Sequence, residues 1–354
     1  MKKVGIVTLC GNSNFGNKLQ NYALKKVIEE YGYDVETIWI ERANKANKLT
    51  TLRKYFKRLW KDYIYHRKRN IHFVKFNNYL NISKKHVYFE DEMKDIVNNY
   101  DCFFVGSDQV WNCNYLNAFN IYFLKDIPKN KSYAYAGSFG IESIPDEFKE
   151  IYKDGLNHLN RISVREEQGK NIVEEMTGRK DCEVVLDPTL LLDANDWKKI
   201  EKKPKKFTAK KYLLLYFLGA LKPEYYNYIV EFATKNNCEI INILDKKCKY
   251  YNCGPREFLY LERNAYMIFT DSFHSSVFSI IFKKPFMVFV KSENGYNTFS
   301  RLETLLSKFK LEDRKYNKNK EVAINIDYTN TYKVLLKEQE KSKKFIKDVL
   351  DNLK

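Results

Sequence analysis

The sequence predicts an α/β protein with two doubly wound domains, each built on a parallel sheet. Three observations lead to this prediction. Short apolar runs alternate with helical periodicities along most of the chain, which is the signature of βαβ units. At 354 residues the chain is too long for one ordinary core, and its 44% hydrophobic content is enough to fill two. A polar, lysine-rich stretch at 193–211 separates two such series.

The first series begins at the N-terminus. An apolar run at 4–9 predicts a strand, and Leu24, Val27, Ile28 and Tyr31 are then spaced as one face of a helix. Gly32 is expected to end that helix. Further strands are predicted at 35–40, 101–105, 132–136, 162–164 and 183–186. We assign this domain to residues 1–200.

The second series is assigned to residues 205–331. Strands are predicted at 212–217, 239–244, 266–269 and 285–290, with helices at 223–235 and 255–263 and a short one after His274. A terminal helix at 332–354 is expected to cross back to the first domain. Ligands bind at the carboxyl ends of parallel strands, so a functional cleft is expected where the two domains face each other.

Composition excludes several other classes of protein. The seven cysteines are odd in number and form no CxxC pair. Neither a zinc cluster nor a disulfide framework is therefore expected, and a reducing, cytoplasmic setting fits better. The longest apolar run, 212–221, is far shorter than a membrane span. We therefore expect a soluble protein without a metal site.

Positive charge is concentrated in one segment. The formal net charge is +17, and the segment 42–89 carries +13 of it, from fourteen Lys or Arg residues and the single acid Asp62. Aromatic residues within this segment keep a helical stripe at 52–63, which is typical of a buried face with solvated cations opposite. This pattern argues against stacking of nucleic-acid bases, and the block of positive charge suggests contact with an anionic surface or polymer.

Two polar turns of the first domain follow predicted strands. The turn 11–17 offers backbone amides and Asn side chains, which suit either a sugar hydroxyl or the capping of the next helix. It is neither a GxGxxG loop nor a Walker loop. The turn 106–112 places hydroxyl partners beside a Trp that is expected to be exposed, a set that suits a sugar ring; the alternative is a capped loop with the Trp buried. The candidate acceptor-binding residues are Asn14, Asn17, Asp108, Gln109 and Trp111.

Two more strand ends of this domain carry charged residues. Arg165 is placed to clamp a phosphate or carboxylate with two hydrogen bonds, and the alternative is a surface pair with Glu166 or Glu167. Asp187 precedes Pro188, and Asp-Pro is an ordinary turn initiator, so a structural role is favoured for it.

The sharpest motif is Thr270–Ser276, between a strand and a helix of the second domain. Backbone amides and the helix dipole at such a junction favour an anion. A histidine facing that anion can donate a proton near neutral pH, although a lone histidine is more often held by backbone groups in a tight loop. The polar string around His274 favours the functional interpretation.

Taken together and in order, these motifs resemble the polysaccharide pyruvyl transferase family. The resemblance covers roughly residues 1–310 and is carried by 11–17, 105–112, 138–140, 163–166, 187–189, 254–258 and 270–279. It implies a fold with two Rossmann-like domains, of the GT-B type. It also implies transfer of a pyruvyl group from phosphoenolpyruvate onto two hydroxyls of a sugar, with formation of a cyclic ketal and release of phosphate.

That chemistry needs a general acid and partners for an anion. Protonation of the methylene carbon of phosphoenolpyruvate makes the central carbon electrophilic, and His274 is the candidate proton donor. The candidate donor-binding residues are Arg165, Asp271, Ser272, Ser275 and Ser276. Phosphoenolpyruvate is a co-substrate, and no cofactor is expected. Many members of the family carry an Arg where this chain has Ser272. Either another cation, such as Lys283 or Lys284, binds the phosphate instead, or the donor differs.

The alternative enzyme is a GT-B-type glycosyltransferase that uses a nucleotide-sugar. It would need an acidic residue for the ribose near the end of the second domain, and the stretch 291–301 offers only Glu293.

A glycan or lipid-linked glycan is the expected partner, and an anionic surface at the inner face of the membrane is a second one. A nucleic acid is not expected.

Overall fold

The computed structural model describes residues 1–40, 68–87, 90–114, 119–290, 300–319 and 322–353. The chain divides into two compact units. Unit 1 comprises Met1–Leu191 together with Glu338–Lys354, and unit 2 comprises Leu192–Lys337. The unit boundary thus lies before the helix Ala194–Ile200, whereas the sequence-based boundary lay after it, between 200 and 205.

Unit 1 is built on a six-stranded parallel sheet with the strand order β2-β1-β3-β4-β5-β6. The strands are β1 (Lys3–Val7), β2 (Asp34–Ile38), β3 (Cys102–Val105), β4 (Ser132–Gly137), β5 (Arg161–Val164) and β6 (Glu183–Val184). The central strands β3 and β4 are buried along their whole length, as expected for parallel strands covered on both faces.

The helices of unit 1 follow from local signals. They are α1 (Phe15–Glu30), α2 (68–76), α3 (Phe119–Tyr122), α4 (Lys149–His158) and α5 (Glu167–Thr177). Asn14 caps α1, because its side chain accepts a hydrogen bond from the amide of Asn17. Gly32 has a φ of 85° just after this helix, the left-handed conformation that commonly ends a helix. The predicted face of α1, including Leu24 and Val27, is buried.

Unit 2 contains a four-stranded parallel sheet with the order β10-β9-β7-β8. Its strands are β7 (Tyr212–Tyr216), β8 (Glu239–Asn242), β9 (Met267–Thr270) and β10 (Phe286–Val288). Its helices are α6 (Ala194–Ile200), α7 (Pro223–Asn236), α8 (Pro255–Asn264), α9 (Phe273–Ile281) and α10 (Ser300–Phe309). The predicted strands of both units are present, with ends that differ by about two residues at most.

The last helix, α11 (Thr329–Asp351), ends within unit 1. The side-chain amide of Gln339 on this helix donates to the carbonyl of Leu190 at 2.6 Å. The hydroxyl of Tyr33 donates to the carbonyl of Leu350, near the end of the helix, at 2.7 Å. Phe345 and Ile346 are buried there. The predicted return of the terminal helix to the first domain is confirmed.

One predicted element cannot be compared with the structure. The amphipathic helix at 52–63, and with it most of the basic segment, lies outside the described residues. Within the ranges that are described, no helix is both long enough and apolar enough to span a membrane.

Candidate active site

The motif around His274 lies where β9 ends and α9 begins, in the middle of the unit 2 sheet. Thr270, the last residue of β9, fixes this junction through its hydroxyl. The hydroxyl donates to the carbonyl of Tyr216 at 2.6 Å and accepts from the amide of Ser272 at 2.9 Å. Ser272 is the N-cap residue of α9. The turn is therefore tied to the neighbouring strand β7.

Asp271 organises a second loop at the same edge of the sheet. Its two carboxylate oxygens accept from the amides of Leu218 and Gly219, at 2.6 and 2.8 Å. Those amides follow β7, so Asp271 joins the ends of two adjacent strands. This geometry gives Asp271 a role in shaping the loop, and its predicted role in donor binding remains a prediction.

His274 is the second residue of α9, and its side chain is only 6% exposed. The first intrahelical bond of α9 runs from the amide of Ser276 to the carbonyl of Ser272, at 3.2 Å. The amides of residues 273–275 lie in the first turn, ahead of this bond. The positive end of the helix dipole at this start favours an anion. The position suits a proton donor to an anionic substrate.

The serine hydroxyls of this helix turn toward the protein. Ser275 donates to Glu262 Oε1 at 2.6 Å, and Ser276 donates to the carbonyl of Ser272 at 3.0 Å. Both residues are fully buried. Ser275 and Ser276 were predicted to bind the donor at this helix start, and the amide of Ser276 is already used within the helix. The predicted roles of Ser275 and Ser276 in donor binding remain predictions.

Glu262 is a component of this site that the sequence analysis missed. It lies on α8, is fully buried, and has Ser275 as its hydrogen-bond partner. Burial raises the pKa of the Glu262 carboxyl well above its ordinary value, and the hydrogen bond from Ser275 opposes this only in part. The burial of Glu262 could have been predicted from the sequence. Glu262 stands four residues after Phe258 and three after Leu259, which places it on the apolar face of α8.

Lys283 and Lys284 lie too far from Ser272 to substitute for the arginine that many family members carry at that position. They follow the carboxyl end of α9, and the helix spans nine residues, so about 13 Å separates them from its start. Lys283 Nζ lies 4.0 Å from the ring centre of Tyr332. The idea that these lysines take over the phosphate at the helix start is therefore wrong.

In unit 1, buried polar side chains join the carboxyl ends of several strands. Gln20 donates to the hydroxyl of Thr8 at 3.0 Å and accepts from the amide of Ser107 at 3.2 Å. The Ser107 hydroxyl donates to Asp187 Oδ2 at 2.9 Å. Asp187 Oδ1 accepts from the amide and hydroxyl of Thr189. The structural role favoured for Asp187 agrees with these bonds.

Arg165 lies within this network instead of facing a ligand. Its guanidinium donates to Asp187 Oδ2 at 2.8 Å and to Asp108 Oδ1 at 3.1 Å, and its Nε lies 3.7 Å from Glu166 Oε2. The Arg165 side chain has no solvent exposure. Burial alone lowers the pKa of Arg165, but the three carboxylates outweigh it and raise that pKa. The predicted anion clamp is corrected, because these carboxylates already neutralise the guanidinium.

Trp111 was expected to be exposed and is fully buried. Its indole Nε1 donates to the carbonyl of Tyr122 at 2.9 Å, and its ring packs on Phe123 and Phe139. It belongs to the main hydrophobic cluster of unit 1. The proposed stacking of a sugar on Trp111 is therefore wrong: the apolar ring completes the core. The alternative, a capped loop with the Trp buried, is the one observed.

The other residues of that turn also have partners within the protein. Asp108 accepts from the amide of Gln109 at 2.8 Å as well as from Arg165. Gln109 accepts from the amide group of Asn112 at 2.6 Å. The predicted roles of Asp108 and Gln109 in acceptor binding thus remain predictions, and Asp108 is already engaged by Arg165.

The turn before α1 keeps more capacity for a ligand. Asn14 is partly exposed, and the Asn17 Oδ1 atom is buried without a hydrogen-bond partner in the described part of the chain. The next residue, Lys18, is buried and donates to Asn77 Oδ1 at 2.7 Å. Burial lowers the pKa of Lys18 to about 8. The role of this lysine could not be predicted from local sequence, because Asn77 is distant along the chain.

The predicted donor-binding set is divided between the two units. Arg165 belongs to unit 1, and the other four residues belong to unit 2. Only the unit 2 residues form one local constellation with His274.

Comparison with known proteins gives a family and a fold. A family model described as polysaccharide pyruvyl transferase matches residues 14–292. No curated protein sequence matches the chain. A solved structure from Listeria monocytogenes, assigned as a UDP-N-acetylglucosamine 2-epimerase, is 10% identical, with 97% of this chain and 91% of that chain covered and a TM-score of 0.53. The UDP-N-acetylglucosamine 2-epimerase of Rickettsia bellii is 11% identical, with coverages of 100% and 97% and a TM-score of 0.45. The likeness to the Listeria structure concerns the fold alone, and the predicted GT-B-type α/β class is confirmed.

Proposed function

Because the chain belongs to the polysaccharide pyruvyl transferase family, we propose that it transfers a pyruvyl group from phosphoenolpyruvate to a sugar. The acceptor is a cell-envelope polysaccharide or its lipid-linked precursor. The product is a cyclic ketal across two hydroxyls of one sugar, and inorganic phosphate is released. Family membership supports the transferase class, and the arrangement around His274 supports the choice of donor.

The position of His274 at the start of α9 is the observation that carries this proposal. The reaction begins when the methylene carbon of phosphoenolpyruvate takes up a proton, which leaves the central carbon electrophilic. One acceptor hydroxyl adds to that carbon, phosphate leaves, and a second hydroxyl closes the ketal; each hydroxyl loses its proton. His274 supplies the first proton, while the amides of residues 273–275 and the helix dipole favour the anionic donor.

The acceptor side of the proposal rests on the turn before α1. Asn17 Oδ1 is a buried acceptor without a partner in the described ranges, which suits a sugar hydroxyl. The next residue in sequence, Lys18, carries a buried amine with a pKa lowered to about 8. Asn14 is occupied in capping α1 through one hydrogen bond at 3.3 Å.

Turnover of phosphoenolpyruvate tests the proposed function. The purified protein is incubated with phosphoenolpyruvate and a panel of envelope glycans, while phosphate release and the mass of the glycan are followed. We expect phosphate release that depends on an acceptor, a ketal-bearing product, and near-complete loss of both in His274→Ala. If the protein ignores phosphoenolpyruvate with every acceptor but is stabilised against heat by a nucleoside diphosphate, the glycosyltransferase alternative takes its place.

A cytoplasmic location at the inner face of the membrane is part of the proposal. It rests on the +13 charge of segment 42–89, which lies largely outside the described residues. Anionic liposomes should sediment the protein at low salt and release it at high salt. Neutralising Arg53, Lys54, Lys57, Arg58 and Lys61 should abolish this binding, and equal binding by that variant would contradict the idea.

A further inference from the structure

The carboxyl group of Glu262 lies against the first turn of the helix that carries His274. The Ser275 hydroxyl donates to its Oε1 at 2.6 Å, and its Oε2 is buried without a hydrogen-bond partner among the described residues. Ser275 directly follows His274. A bond to Ser275 therefore fixes the turn from which the imidazole projects.

Among the described residues, no cation pairs with this buried carboxyl group. None of the ion pairs in the described ranges includes Glu262, and most charged groups of the elements packed against it have other partners. Arg263 of α8 pairs with Glu201, Glu257 of α8 with Lys202, and Lys199 of α6 with Asp196. Arg256 of α8 donates to the carbonyl of Ile200, and Tyr212 of β7 donates to the carbonyl of Leu261. Other titratable groups on these elements include His274 of α9, Tyr260 of α8 and Lys198 of α6, which is exposed. A carboxylate buried in this way is disfavoured against the neutral acid.

We propose that Glu262 is a positioning residue, which holds the first turn of α9 through Ser275 and does so as a neutral carboxylic acid. The inference rests on the proposed function, because an anionic donor at the helix start explains why neutrality matters. A negative charge directly behind this turn would repel a phosphate that the helix dipole attracts. A neutral acid fixes the turn without that repulsion.

The position of the His274 ring gives a test that needs no substrate. The chain has five histidines, so the imidazole signals of the protein labelled with ¹⁵N-histidine are few, and His274→Gln identifies the signal of residue 274. We expect Glu262→Leu and Ser275→Ala to shift that signal, and Glu262→Gln to leave it in place. Ser279→Ala is the matched control, since Ser279 is equally buried on the same helix but donates to the carbonyl of Ser275 instead.

Kinetics with phosphoenolpyruvate extend the test to the reaction. Misplacement of the imidazole in Glu262→Leu should lower kcat about a hundredfold, with a smaller change in KM, and Glu262→Gln should restore most of it. The positioning role is overturned if Glu262→Leu and Ser275→Ala both leave the His274 signal unmoved. Neutrality is overturned if Glu262→Gln moves it as far as Glu262→Leu. If phosphoenolpyruvate leaves the wild-type His274 signal unchanged while the variants shift it, the proposed donor fails and the positioning role stands.

Discussion

Unit 1 buries the carboxylates of Asp108, Glu166 and Asp187 around the guanidinium of Arg165, whereas unit 2 buries Glu262 with a serine hydroxyl as its partner. Both groups lie close to polar turns at strand ends. In the first, opposite charges compensate one another. In the second, we infer that the carboxyl group of Glu262 is protonated and neutral.

The difference shows how burial decides what a strand-end residue can do for a ligand. Arg165 was a candidate for holding an anion, but three neighbouring carboxylates leave no net positive charge there. The helix start at His274 has no such carboxylate charge behind it if Glu262 is neutral. Of these two regions, the one in unit 2 is therefore suited to an anionic donor.

The largest effect on stability should come from removing the cation of unit 1. Arg165→Met leaves three buried carboxylates without their counter-charge, and we expect the free energy of unfolding to fall by about 3–5 kcal/mol. Arg161→Met is the matched control, because Arg161 is part-exposed and pairs with Glu183 at 2.9 Å. That change should lower stability by about 1 kcal/mol at most. Urea unfolding of both variants gives the comparison, and equal losses would refute the assignment of a buried charge cluster.

Replacing a carboxylate by the isosteric amide should affect the stability of the two regions differently. Asp187→Asn removes a charge that Arg165 needs and places an amide where Asp187 now accepts from four groups, so a loss of about 1–3 kcal/mol is expected. Glu262→Gln copies the neutral acid and should leave stability unchanged or raise it at neutral pH. Thermal unfolding of the two variants checks this, and a large loss in Glu262→Gln would show that Glu262 is charged.

The last prediction concerns a dependence of stability on pH that Glu262 alone contributes. Because burial raises the folded-state pKa of Glu262 above 4.5, the folded state binds more protons than the unfolded chain at higher pH. The contribution of Glu262 is thus complete below pH 4.5 and is lost as pH rises, until the folded state also ionises. Glu262→Gln lacks this dependence, so its stability relative to the wild type should rise as pH rises from about 5 towards neutral. A constant difference across that range would contradict a raised pKa.

Much of the fold could be predicted from periodicity. The strand ends followed apolar runs, and Gly32 and Asn14 marked the limits of α1 as expected. These signals are local, because each depends on residues a few positions apart. The return of α11 to unit 1 was also predictable, since an amphipathic terminal helix needs an apolar surface to cover.

The site was predicted only in part, since partners distant in sequence decide it. Trp111 looks the same in sequence whether it faces a sugar or Phe123 and Phe139. Arg165 meets Asp108 across 57 residues, which no spacing within one motif reveals. His274 was found because strand, turn and helix are contiguous in that motif, whereas the partner of Ser275 lies on another helix.

The rate of a single chemical step tests the role of His274 most directly. With phosphoenolpyruvate and a competent acceptor, His274→Gln should lower kcat by about 10²–10⁴-fold, because the proton donor to the methylene carbon is lost. The KM for phosphoenolpyruvate should change only a few-fold, since the amides of residues 273–275 that favour the anion are kept. A His274→Gln variant that retains wild-type kcat would contradict the assignment of His274 as the proton donor.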